Sequence, residues 1–363
     1  MISSKSKKMY CHFSQTHHQK GISLIETMIG LTLGLVLIFG LVQILTANRQ
    51  SSRMQEALSE IQDNGRLAME FIAREIRKAD YWGCAEDIDD FVNHLDPSSS
   101  AYDANLHDFT NVEGISGTEG DGLNGSDSIT VGRLQDGGQM LIAGMADVGS
   151  PLTVDAGNGF TSGQVLFVSN CRGGDIFQNT SSTVSTDGSI IHETGNVSPG
   201  NLTTACPNAP VCSGGGINCL CQVYGTEAMV FPGIHVARYF IAMSADGLHP
   251  TLWVNNFEGN FELARGVEQM QITYGEDTDN DNSANRYFKA NNPNLDMENV
   301  VSIKVNLLLQ STSDNITDGS QPHRFNWEER TAEDTTASAT IETNDRRLRR
   351  AYTMTISIRN RMI

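Results

Sequence analysis

Basic residues are scarce in this chain. Twenty-five lysines and arginines stand against 43 aspartates and glutamates in 363 residues, a formal charge of −18. A general nucleic-acid binder needs a basic surface to release counterions, so this composition argues against that class. The acidic balance favours solubility and partners that are not polyanions. Aromatic residues are also few, at 7%. The 34 glycines and the abundance of Asn, Asp, Ser and Thr predict strands joined by long polar loops. Enzyme signatures are missing. His192-Glu193 lacks the second histidine of H-E-x-x-H, and no P-loop, dinucleotide-binding glycine pattern or nucleophile elbow occurs. The chain therefore reads as a non-enzyme without a catalytic cofactor, and it contains no internal repeat.

Two local absences organise the N-terminus. Residues 1–21 contain Lys5, Lys7, Lys8 and Lys20 and no acid; without them the chain would carry 21 basic against 43 acidic residues. Residues 27–48 contain no charge. About 20 apolar residues span a hydrocarbon core. The lysines before this stretch and the acidic body after it place the N-terminus in the cytoplasm and the C-terminus outside. Of seven cysteines, Cys11 lies in the basic leader. The other six are Cys84, Cys171, Cys206, Cys212, Cys219 and Cys221, an even set suited to an oxidising compartment.

Glu26 interrupts the start of the apolar stretch, where a charge costs several kcal/mol by some scales. A secretory signal cut near Ala47 would discard the apolar helix. A cut after Gly21 fits better, because Lys20-Gly21 joins the leader to Ile22-Ser23-Leu24-Ile25-Glu26. This junction resembles the class III signal of type IV prepilins, matching at Gly21, Ser23, Leu24, Ile25 and Glu26 and departing at Ile22, where phenylalanine is usual. The resemblance implies that a prepilin peptidase cuts after Gly21 and methylates the new amine of Ile22. It also implies that Glu26 meets the N-terminal amine of a neighbouring subunit during assembly. Two such charges in a low-dielectric setting are tolerable as a pair. The bland alternative is a signal anchor with an interfacial glutamate. Gly30, Gly34 and Gly40 either permit close packing or local melting of the span, or are ordinary membrane-helix glycines.

Beyond the span, Met54, Leu58, Ile61, Gly65, Ala68, Ile72 and Ile76 recur every three or four residues, with Leu67 and Phe71 alongside, among many charges. That is an amphipathic helix with one stripe for a sheet to cover. It is expected to end near Tyr81-Trp82-Gly83-Cys84, with Gly83 as the cap. The segment NGRLAMEFIAREIRKADYWGC resembles the PilW group of minor pilins. Similar blocks are SDSITVGRL, VLFVSNCRGGDIFQ, ARGVEQMQITYGEDTDNDNSANRYF, VVSIKVNLLLQST and DRRLRRAYTMTISIRN. Residues 86–125, 140–160 and 178–222 match none of these blocks and read as insertions. Alternating or β-branched runs at 128–131, 165–168, 236–241, 270–274, 301–305 and 352–358 predict strands. The expected fold is α+β and type IV pilin-like: a leader over 1–21, a membrane and filament-core helix over 22–48, an amphipathic helix over 49–83, and a β-rich head with long disulfide-bearing loops over 84–363.

Cys206, Cys212, Cys219 and Cys221 raise the question of a four-thiolate metal site, but their spacing and the exported setting favour disulfides. Six cysteines allow 15 pairings. Cys84 and Cys171 both fall in PilW-like blocks while the other four cluster in one insertion, and the resemblance so implies that those two pair. Asp277, Asp279 and Asp281 alternate as calcium-loop ligands do, yet the twelfth place is Phe288 and no EF-hand results. A looser Ca²⁺ site on these three residues competes with an acidic solvated turn, which is preferred. The run Arg346-Arg347-Leu348-Arg349-Arg350 is read as salt-bridging this acidic protein rather than contacting DNA.

The resemblance implies a minor pilin that primes type IV pilus assembly at or near the tip, and through it pilus-dependent motility, adhesion or DNA uptake. Its partners would be other minor pilins, the major pilin, the prepilin peptidase, the inner-membrane assembly platform and a tip adhesin. Before incorporation it would cross the bacterial inner membrane once, with its C-terminus in the periplasm. The alternatives are a J-type pseudopilin of type II secretion, and a binding module at the tip acting as adhesin or DNA receptor.

Overall fold

The computed structural model describes residues 21, 23–85, 90–102, 107–109, 112–194, 197–202, 220–256, 259–320, 323–326, 338–341 and 344–361. One helix, α1, runs unbroken over Leu24–Lys78. No proline falls within it to remove a backbone donor. The chain divides into two compact units, residues 1–53 and 54–363. In the first, α1 is apolar all round and bare: Leu31 is 70% and Leu35 69% exposed. It is long and apolar enough to cross a membrane. A helix apolar on every face needs surroundings other than water.

In the second unit α1 buries Ala57, Ile61, Gly65, Ala68, Met69, Ile72, Ala73, Glu75 and Ile76. The buried stripe therefore starts at Ala57. Met54, Leu58 and Leu67, expected in or beside it, are 43%, 37% and 40% exposed. The stripe also admits a charge, Glu75.

Strands follow in chain order. They are β1 Phe91–Asn93, β2 Ile115–Thr118, β3 Ser128–Leu134, β4 Gln139–Met140, β5 Leu152–Thr153 and β6 Val165–Asn170. Next come β7 Gly173–Gln178, β8 Ser189–Ile190, β9 Met229–Phe231, β10 Ile234–Met243, β11 Pro250–Asn256 and β12 Gly259–Arg265. The last are β13 Val267–Glu276, β14 Arg286–Phe288, β15 Val300–Gln310, β16 His323–Asn326, β17 Ser338–Ile341 and β18 Arg349–Ser357. Every run predicted as a strand lies in one, save that Ile358 falls just past the end of β18.

Two antiparallel sheets, ordered β12-β11-β10-β3-β2 and β14-β13-β15-β18, share one core with α1. Ile61, Ile72 and Ile76 of α1 enter it beside Ile129, Tyr239, Met270, Ile303 and Ile356. Burying side chains of this size contributes roughly 1.5–3 kcal/mol each. The Asn64-Gly65 pair has a contact reason. A Cβ on Gly65 would lie 2.7 Å from the Tyr352 ring, and Asn64 Nδ2 donates to the Arg265 carbonyl at 3.1 Å.

The third sheet, β1-β7-β6-β9-β4, forms a lobe with two smaller cores, one of which takes in Leu134 of β3 and Ile234 of β10. Its β1 runs parallel to β7, in contrast to the antiparallel neighbours elsewhere in the sheet. The short pairs β5–β8 and β16–β17 complete the described strands.

Candidate functional site

The first turn of α1 is set by Ser23. Its carbonyl accepts the Thr27 N–H at 3.1 Å and the Thr27 hydroxyl at 3.0 Å, so Ser23 stands at the N-cap and Glu26 is the third helical residue. The first amides of a helix have no intrahelical acceptor, and a carboxylate here complements them and the helix dipole. Glu26 thus has a structural role of its own beside the one implied by the prepilin resemblance. The Ser-x-x-Glu spacing is a capping-box signature that the sequence displays. Gly21 precedes the helix, and Ile22 lies outside the described residues. A Cβ on Gly21, Gly30, Gly34 or Gly40 would meet nothing within 4 Å, so no contact among the described residues accounts for these glycines.

The other end of α1 is fixed by residues far away in sequence. The helix stops at Lys78 and the chain turns at Asp80, whose φ is 62°. Gly83, the expected cap, instead turns the chain at φ 77° where a Cβ would crowd Ser169 and Phe231. Asn360 Nδ2 donates to the carbonyls of Lys78 at 3.1 Å and Ala79 at 2.8 Å, capping the helix from the C-terminus. Arg361 pairs with Asp80 and donates to the carbonyls of Met297 and Val300. Trp82 is buried with its Nε1 on Asp80 Oδ1 at 2.8 Å. Asp80, Asn360 and Arg361 escaped the sequence reading because their partners are some 280 residues apart.

Glu75 is the charged member of the buried stripe. His235 and Arg133 each approach its Oε2 at 3.4 Å, and Arg74 meets Oε1 at 3.3 Å. His235 beside it, opposed by burial and helped by Arg133, holds the carboxyl down at about 2. Asp127 behaves in the opposite way. Its Oδ1 accepts from Gly120 N–H at 3.0 Å and its Oδ2 from Ile272 N–H at 2.8 Å, yet burial pushes its carboxyl up to about 7.

Cys84 and Cys171 are joined by a disulfide with Cα atoms 4.5 Å apart, tying the exit of α1 to the end of β6. Cys221 is disulfide-bonded as well. Its partner, like Cys206, Cys212 and Cys219, lies outside the described residues. Cys221 therefore offers no thiolate to a metal, although its sulfur sits 3.8 Å from His94 Nε2. Asp175 gathers the surroundings of Cys221. It takes His94 Nε2 at 2.6 Å, the Tyr224 hydroxyl at 2.6 Å and the Cys221 N–H at 3.1 Å. His94, Asp175 and Tyr224 are fully buried. Burial, reinforced by Asp175, pushes the Tyr224 hydroxyl well up.

Asp277, Asp279 and Asp281 do converge, with one oxygen from each within 4.8 Å of the others. Asp277, however, already accepts the N–H groups of Asp279 at 3.1 Å, Asn280 at 2.8 Å and Asn282 at 2.7 Å. Burial raises its carboxyl, and these amides overcome burial and hold it below the usual range. Asn280 and Asn282 take the left-handed conformation at φ 58° and 65°. The side chains suit an oxygen-liganded cation, while the turn closes on its own amides without one.

The arginine run divides. Arg349 is buried against Glu268 at 2.7 Å and Asp345 at 2.6 Å, and Arg347 reaches Asp345 at 3.8 Å. Arg346 and Arg350 are exposed and make no ion pair among the described residues. Salt bridging thus accounts for half of the run.

A long helix, apolar at its first half and covered by antiparallel sheets at its second, makes an α+β architecture consistent with the type IV pilin resemblance. Residues 238–360 match the family PilW, described as type IV pilus-assembly protein W. The match runs from β10 past β18, through the two sheets that cover α1, and supports the PilW resemblance of the sequence blocks. No curated protein and no solved structure matches the chain.

Proposed function

We propose that this chain is a minor pilin acting in type IV pilus assembly, within the subcomplex that primes the filament at its tip. The observation that carries the reading is α1 itself. Its apolar half has no cover among the described residues, while its second half anchors the sheets that match a pilus-assembly family. An uncovered apolar helix of this length requires lipid first and other helices afterwards. The residues would act in sequence. The leader's lysines orient insertion, a peptidase cuts after Gly21, and Ile22 presents the new amine. Glu26 then pairs with the amine of a neighbouring subunit as the helix leaves the membrane. Neither catalysis nor a bound cofactor enters this mechanism. Deleting the gene and counting surface pili tests it: the reading predicts loss or severe reduction, restored by the wild-type gene. Unchanged piliation would refute it.

A further inference from the structure

Among the described residues, the sheet that carries β18 ends in an open edge. Ser311 N–H donates to the Leu348 carbonyl at 2.8 Å and Ile358 N–H to the Val301 carbonyl at 2.9 Å. The register between β15 and β18 runs without a shift from Ser302↔Ser357 to Gln310↔Arg349. Directly opposed antiparallel residues alternate between bonded and non-bonded pairs. The even-numbered residues 348–358 therefore bond to β15. Ala351, Thr353, Thr355 and Ser357 direct their N–H and C=O groups away from the sheet, and their side chains are exposed. No strand among the described residues pairs with that side.

Edges of this kind are usually blunted by shortness, bulges, prolines or inward charges. The other edges in the two helix-covering sheets and the lobe comply. β1, β2, β4 and β14 have two to four residues. β12 is longer, but its pairing is bulged at Leu252/Trp253 and it carries the Glu262–Arg265 pair. β18 has nine residues, no proline, no bulge and, beyond Arg349 at its start, small or hydroxylated side chains at its outward positions.

Charge selects the occupant. In a chain of −18, Arg346 and Arg350 stand at one end of this edge and Arg359 at the other, all exposed and without an ion pair among the described residues. Lys304 lies opposite Thr355 on the neighbouring strand. A second copy pairing antiparallel through the same edge, centred on Met354, would bring the Arg349–Arg350 end of one against the Arg359 end of the other, and like charges across a strand pair are unfavourable. We propose that the outer edge of β18 accepts an extended strand with acidic side chains from a different protein, by β-strand addition. The inference rests on the assembly reading only for where such a partner is found.

The test uses the full chain in detergent micelles and a synthetic seven-residue peptide of alternating valine and threonine ended by glutamates. Saturable binding is expected, with slowed amide exchange at Thr353 and Thr355. N-methylating the peptide's alternate amides should weaken binding by about tenfold or more, and replacing its glutamates by lysines should do likewise at low salt. The double variant Arg350→Glu, Arg359→Glu, on exposed positions that leave the fold intact, should invert the preference between the two peptides. Absence of saturable binding to millimolar peptide, equal binding of the N-methylated peptide, or indifference to peptide charge would overturn the proposal. Each of those results can coexist with loss of pili on gene deletion, so failure of the edge and failure of the assembly reading are distinguishable.

Discussion

The helix-covering sheets and the disulfide-tied lobe are built on different physics. The first gather α1, β10, β13, β15 and β18 around one apolar core, and strands of nine to eleven residues supply the order. The lobe has strands of two to six residues, two small cores, a disulfide and a buried polar group centred on Asp175. Where strands are too short for ladder and packing to define a unique arrangement, a buried hydrogen-bonded group and a covalent bond take over. Such networks are costly when one member is lost.

The largest effect should come from that network. Asp175→Ala leaves His94 and Tyr224 buried without their acceptor and is expected to destabilise the lobe by about 3–5 kcal/mol. Hydrogen exchange should accelerate in β6 and β7 while β13 and β15 keep their protection; uniform acceleration would mean that the two regions unfold as one. Ile72→Ala is the matching change in the helix-covering core. It should cost about 2–5 kcal/mol, read as an earlier denaturant midpoint with β13 and β15 affected first. Replacing Cys84 and Cys171 together by serine should remove about 2–4 kcal/mol, again felt in the lobe. A shift confined to β15 and β18 would contradict that assignment.

The smallest effect is one of pH. Asp127 has its folded value raised to about 7 from an ordinary 3.8, so the folded protein retains a proton that the unfolded chain releases. Its contribution is full below the unfolded value and is lost as pH rises through the folded one. Between pH 5 and 7 this amounts to about 2 kcal/mol of lost stability. Glu75, held at about 2 against an ordinary 4.5, acts in the opposite direction and only below about pH 5, where falling pH removes its contribution. Denaturant melts of wild type and Asp127→Asn at pH 5 and 7 should therefore differ in slope, the variant being flatter. Parallel curves would show that Asp127 titrates normally.

What could be read from the sequence follows the same division. The helix and the six strand runs announce themselves because their residues repeat with the periods of their own elements, and β15 and the middle of β18 carry β-branched and apolar side chains almost continuously. The junction from Gly21 to Glu26 is legible as a spacing. The hairpin of β11 and β12 was not predicted, since Trp253, Asn255, Asn256 and Gly259 break its alternation. Nor could the lobe be read: β1 is three residues long and pairs in parallel with β7, a contact no local pattern encodes. Glu75 looked like one more solvated charge on α1 until Arg133 and His235 of neighbouring strands were seen to meet it. The turn that closes α1 falls at Asp80 rather than at the expected cap Gly83, because Arg361 holds Asp80 there.

The account's central claim is that α1 stays on the mature protein and travels with it into the filament. N-terminal sequencing of this chain recovered from sheared pili, in cells that also make the major pilin, tests that most directly. The account predicts a start at Ile22, in pili as in membranes. A start near Asn48, or absence of the chain from pili that are otherwise normal, would contradict it.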